Sequence, residues 1–140
     1  MKLIVFTDGG ARGNPGPAGI GVAIQDADGK TIEEFGDYIG ETTNNQAEYR
    51  AMIAALERAK ALGATEVEAF ADSELLVKQL HRQYKVKNPG LAPLFVKVWN
   101  LAQSFDACTF QHVRRERNKD ADRMVNAAID RQGSVRSGTM

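Results

Sequence analysis

Four carboxylates stand where a solvated acid is not expected. Asp8 follows the most apolar stretch of the chain, residues 3–6, and Asp72 follows the next one, residues 67–71. Glu48 precedes Met52 and Ala55 by four and seven residues, which places it on the apolar stripe of a helix, and Asp122 precedes Val125 and Ile129 by three and seven, again on the core-facing side. An unpaired carboxylate in such surroundings is costly, and several gathered in one low-dielectric place repel one another. A hard divalent cation relieves both penalties, and a donor set made only of oxygen favours Mg²⁺ or Mn²⁺. Singly, each acid has an ordinary reading: Asp72 as a helix cap, Glu48 as an anion favoured at a helix start, Asp122 in competition with Asp120 as a cap. Together they point to a metal-dependent site.

The elements that must position these acids are legible from period and punctuation. Residues 3–6 read as a central strand, apolar on both faces. A tight loop rich in Gly and Pro follows, with Gly9, Gly10, Gly13, Gly16, Gly19, Pro15 and Pro17. It lacks the spacings of the common phosphate-binding loops. Ile20, Val22 and Ile24 alternate with small residues as a second strand, and Asp28-Gly29 predicts a type I′ hairpin into a third strand over residues 31–39. From residue 45 the period becomes helical up to Gly63. A strand over 67–71, a helix after Ser73, a break at Asn88-Pro89-Gly90, a helix over 91–105, a strand over 108–113 and a helix over 118–129 complete the chain. The order βββαβααβα predicts an α/β fold with a five-stranded mixed sheet, three antiparallel strands then two parallel ones, and helices on both faces. Residues 1–132 read as one domain and 133–140 as a flexible C-terminal tail.

Composition narrows the class. A chain of 140 residues, 43% hydrophobic and 26% charged, suits one folded domain and argues against disorder. The single cysteine, Cys108, excludes an internal disulfide and a multi-cysteine zinc site. No run of about 18 apolar residues is present, and Asp8 comes too early for a signal peptide, so a cytoplasmic protein is expected. The net charge of zero gives no hint of a nucleic-acid partner, but the charge is polarised. Lys78, Arg82, Lys85 and Lys87 lie in a stretch without acids, and Arg114, Arg115, Arg117 and Lys119 face only Glu116. Residues 26–41 are acidic and are expected to turn away from substrate.

Five stretches, in order, resemble type 1 ribonuclease H: Thr7-Asp8-Gly9-Gly10; Gly13-Asn14-Pro15-Gly16-Pro17; Thr42-Thr43-Asn44-Asn45-Gln46-Ala47-Glu48; Ala71-Asp72-Ser73; and Asn118-Lys119-Asp120-Ala121-Asp122. The resemblance implies the ribonuclease H-like fold and an endoribonuclease that cuts the RNA strand of RNA–DNA hybrids with two Mg²⁺, Mn²⁺ being a plausible substitute, leaving 5′-phosphate and 3′-hydroxyl ends. It implies that Asp8, Glu48, Asp72 and Asp122 bind the metals, with Asp8 shared between them, Glu48 and Asp72 on one and Asp122 on the other. It further implies that Asn14, Asn44, Asn45, Gln46 and Ser73 contact substrate, that Thr43 and Asn88 grip a phosphate of the DNA strand, and that Tyr84 stacks on a DNA sugar. No protein partner is implied, and a monomer is expected. A domain of a larger bifunctional protein, or a related nuclease of the same fold, is the alternative.

Two departures from the family pattern stand out. The link over residues 84–91 is short, so the basic protrusion many members carry is missing, and weaker or more salt-sensitive hybrid binding is expected. The loop in which many members carry a mobile histidine is shortened as well. His112 reads as a strand residue, which leaves Arg115 or Glu116 to serve product release or metal exchange.

Overall fold

The computed structural model describes residues 1–138. Its strands are β1 (Lys2–Ala11), β2 (Gly16–Asp26), β3 (Thr31–Thr42), β4 (Glu66–Ala71), β5 (Ala107–His112) and β6 (Val135–Gly138). The helices are α1 (Asn44–Ala61), α2 (Glu74–Leu80), α3 (Ala92–Gln103) and α4 (Lys119–Arg131), with a short 3₁₀ turn at Arg115–Arg117. One mixed sheet runs in the order β5-β4-β1-β2-β3-β6. β1, β2 and β3 form the antiparallel meander, and β1, β4 and β5 are parallel neighbours.

The alternation along β1 sets the two layers. Leu3 and Val5 point under α1, into a core with Val22, Ile24, Tyr49, Met52 and Leu56. The other face takes α4, which packs on β2 and β3 through Ala121, Met124, Val125 and Ile129. Helices therefore lie on both faces, as the element order predicts.

Two sequence expectations need correction. The hairpin between β2 and β3 is not type I′. Only Gly29 takes a positive φ there, at 85°. The loop is instead three residues long, with Asp26 N–H donating to Lys30 O at 2.9 Å and Asp26 Oδ1 accepting from the amides of Asp28 and Lys30. The segment 133–138 is also not a frayed tail. β6 pairs antiparallel with β3, placing Arg136 opposite Phe35, and makes the sheet six-stranded. The Arg136 guanidinium lies 5.4 Å from the Phe35 ring centroid and 3.6 Å from Glu33, whose carboxylate also takes a two-pronged bond from Arg58. A strand that would otherwise expose a row of unpaired amides is thereby covered. Residues 139 and 140 of the expected tail lie outside the described residues.

The acidic stretch over residues 26–41 is correspondingly less exposed than its charge suggests. Glu33 and Glu34 are buried, Glu33 against Arg58 and Arg136 and Glu34 against Arg123.

Candidate active site

The parallel pairing of β1 with β4 sets Thr7 against Ala71, so Asp8 and Asp72 are the next residues on adjacent strands. Asp8 lies on the face of β1 that looks toward α4, as does Gly10, whose missing side chain would meet Val125. Gly9 looks the other way. A β-carbon there would run into the carbonyl of Ala47 and the amide of Glu48, so only glycine lets α1 come this close and bring Glu48 to the end of β1. Gly21 does the same for α4: a side chain would collide with the carbonyl of Ala121, next to Asp122.

The result is one open pocket of about 290 Å³ lined by Asp8, Glu48, Asp72, Asp122, Arg115 and Asn44 among others. All four predicted acids are brought together. Burial pushes the Asp8 carboxyl up to about 8, reinforced by the charge of Asp72, by a hydrogen bond with Asp122 and by the charges of Asp122 and Glu48. Burial likewise pushes Glu48 up to about 7; a hydrogen bond to Ser73 opposes this, the charge of Asp72 adds to it, and the guanidinium of Arg115 lowers it. A cluster of hard oxygen donors that resist shedding protons in each other's company suits divalent cations. Among the described residues no group of three or more acid, His or Cys side chains is placed to hold a metal ion by itself. The pocket is open, which suits Mg²⁺, an ion that keeps several waters and shares substrate phosphate oxygens.

The other predicted residues separate into several places. Asn14 and Asn44 brace the loop after β1: Asn44 Oδ1 accepts from Ala11 N–H at 2.7 Å, and Asn14 Oδ1 accepts from Asn44 N–H at 3.0 Å. Thr43 caps α1 and Ser73 caps α2, accepting from Gln46 N–H and Leu76 N–H respectively. Ser73, expected at the substrate, is thus engaged with Glu48 and with its own helix. Asn45 is exposed at the start of α1. Gln46 donates to Gly90 O, and Asn88 accepts from Gly90 N–H, in the link between α2 and α3. Tyr84 is exposed, with the Lys78 ammonium 5.0 Å from its ring centroid.

The consecutive candidates Arg115 and Glu116 part company. Arg115 enters the acid-lined pocket, whereas Glu116 lines a different cavity with Phe6, Gln25 and Lys119. His112 ends β5 opposite Ala71, a strand residue as its sequence context predicts.

Two residues near the site carry no role in the sequence reading. Asn118, fully buried before α4, donates from Nδ2 to Thr7 O at 2.8 Å and so ties the helix bearing Asp122 to the strand bearing Asp8. Its place before a helix in an Asn-Lys-Asp stretch was the available signal. Arg12 lines the pocket while paired with Asp130 at 2.6 Å, and nothing local in the sequence marks it.

Comparison with known proteins gives concordant results. A family profile described as "Reverse transcriptase-like" matches residues 6–128. The bifunctional protein Rv2228c of Mycobacterium tuberculosis is 47% identical over 131 residues, covering 93% of this chain. The chain spans only 36% of the length of that relative. The crystal structure of RNase H1 from Halobacterium salinarum superposes with a TM-score of 0.91 at 41% identity, covering 94% of this chain and 99% of that one. LC11-RNase H1, solved in complex with an RNA/DNA hybrid, superposes with a TM-score of 0.88 at 50% identity, covering 93% of this chain and 98% of that one.

Proposed function

The chain belongs to the type 1 ribonuclease H family, and from that premise we propose that it is an endoribonuclease hydrolysing the RNA strand of RNA–DNA hybrids to leave 5′-phosphate and 3′-hydroxyl ends. One observation carries the proposal: Asp8, Glu48, Asp72 and Asp122, from four separate elements, line a single pocket.

Asp8, flanked by the other three acids, would hold divalent ions together with Glu48, Asp72 and Asp122. Bound there, Mg²⁺ (or Mn²⁺) supplies an acidified water and charge neutralisation at the scissile phosphate. The protein then needs no strong base of its own. Arg115, which lines the pocket, is assigned to draw the cleaved phosphate away; the lining of a different cavity by Glu116 supports choosing Arg115 over it.

Substrate is gripped by amides and a hydroxyl. The carbonyl oxygens of Asn14 and Asn44 are committed to the loop, which leaves their NH₂ groups to donate to base edges and ribose 2′-hydroxyls of the RNA strand, together with Asn45. Thr43 and Asn88 are assigned to a phosphate of the DNA strand. The proposed compartment is the cytoplasm and the proposed state a monomer; no described helix is long and apolar enough to cross a membrane. A second reading, the same catalytic domain within a longer bifunctional protein, is favoured by the partial coverage of the mycobacterial relative.

Labelled RNA–DNA hybrid, RNA duplex and DNA duplex, each incubated with Mg²⁺ or with EDTA, test the proposal. Metal-dependent cutting of RNA in the hybrid alone is expected, with slower turnover in Arg115→Ala and near-normal turnover in His112→Ala. Cutting of DNA, or of nothing, overturns it.

A further inference from the structure

Gln46 makes contacts that a simple substrate-binding side chain would not. Its Nε2 donates to Gly90 O at 2.9 Å, across 44 residues of sequence, while its backbone N–H donates to Thr43 Oγ1 at 3.2 Å. Gly90 N–H in turn donates to Asn88 Oδ1 at 2.7 Å, and the amides of Leu91 and Ala92 close back onto Asn88 O at 3.0 and 3.1 Å. The packing at Gly90 is tight. A β-carbon there would sit 3.0 Å from Gln46 Nε2 and 3.1 Å from Asn88 Oδ1.

These bonds decide which polar atoms remain for a ligand. Thr43 Oγ1 already accepts one bond, and its hydroxyl proton is its donor toward a ligand. Asn88 Oδ1 is occupied in the same way, which leaves the Nδ2 amide. Two groups with an acceptor site already engaged and a donor left to offer suit a phosphate oxygen, which only accepts. Both groups are held by the same residue, Thr43 through the Gln46 main chain and the loop of Asn88 through its side chain.

We propose that Gln46 is a positioning residue, which straps the Asn88-Pro89-Gly90 loop to the first turn of α1 and thereby sets the Thr43 hydroxyl and the Asn88 amide as donors to one phosphate of the DNA strand. The inference rests on the assignment of Thr43 and Asn88 to that phosphate. It changes the role of Gln46 from a contact with the RNA strand to a support for a contact with the DNA strand. It also explains how a link without a basic protrusion is held in place.

The test is steady-state cleavage of a hybrid across a salt series by the wild type, Gln46→Leu, Gln46→Glu, Asn88→Ala and the Gln46→Leu/Asn88→Ala double variant. Gln46→Glu keeps the shape but cannot donate, and thermal melting reports whether each variant is folded. For either Gln46 variant, KM is expected to rise about five- to tenfold with kcat within about twofold, and the salt slope to fall by about one phosphate contact. Asn88→Ala should do the same, and the double variant should be no worse than either single one. Hybrids bearing one uncharged methylphosphonate, scanned along the DNA strand, should show a position that weakens the wild type and leaves the Gln46 variants indifferent. A wild-type salt slope in folded Gln46 variants, or a double variant whose losses multiply, overturns the strap. A wild-type slope in Asn88→Ala overturns the phosphate pocket together with the strap. Absence of hybrid cleavage by the wild type overturns the enzymatic reading instead.

Discussion

Asp8 is held against its chemical preference, and that has measurable consequences. Its carboxyl ordinarily titrates near 3.8 and in the folded chain near 8. The folded state therefore keeps a proton that the unfolded state gives up. Without metal, stability should fall as pH climbs from about 4 towards 8 and level off beyond. Asp8→Asn removes that dependence. Urea unfolding in EDTA should show the variant more stable than the wild type at pH 8, by on the order of 1 kcal/mol or more, with little difference at pH 4. Parallel pH profiles would refute the crowding of these acids. The same variant should lose turnover, since it removes a metal ligand rather than a packing group. Loading with Mg²⁺ near pH 7 should release about one and a half protons, because Asp8 is then mostly protonated and Glu48, near 7, is half so. Calorimetry in buffers of different ionisation enthalpy reads that number, which should shrink towards zero at pH 9. The four acids were legible in the sequence because each interrupts an apolar strand end or helix stripe. Arg115 was not separable from Glu116, because neighbouring residues of a 3₁₀ turn point in different directions and only the fold says which way the pocket lies.

At the scale of elements, the site depends on how closely helices approach the sheet. Gly9→Ala forces a β-carbon against the backbone of Ala47 and Glu48, and α1 must move away from β1. A destabilisation of about 1–3 kcal/mol is expected, in line with overpacking. Catalysis should fall further than stability alone explains, since Glu48 moves with the helix. Measuring kcat at a temperature where the variant is fully folded separates the two; unchanged kcat would mean that the close approach is not what places Glu48. The strands and helices themselves were legible, because their apolar residues recur with period two or near four. β6 was not. Its four residues, Val135-Arg136-Ser137-Gly138, hold a single large apolar side chain, and what makes them a strand is the open edge of β3 and the Phe35 ring and Glu33 carboxylate awaiting Arg136.

For the whole molecule, the net charge of zero is the sum of unlike regions. Four of the 18 acidic residues gather in the pocket, and charge neutralisation there by two Mg²⁺ would leave 14 acids against 18 basic residues. The metal-loaded protein should therefore meet a polyanion as a cation. With the protrusion missing, fewer phosphate contacts are expected. A version carrying a basic insertion after Tyr84 should bind hybrid more tightly and with a steeper salt slope, and equal affinities at two salt concentrations would rule this out. Residue order alone reveals the chemistry available: four hard carboxylates, the strands and helices that carry them, and a family pattern from Thr7 to Asp122. The contacts these groups make with one another emerge only in the fold. Gln46 turned out to serve Gly90, Ser73 to serve Glu48, and Glu33 to serve Arg58 and Arg136. Local periodicity records which face of an element a side chain takes. It holds no record of the partner that folding brings from 25, 44 or more residues away.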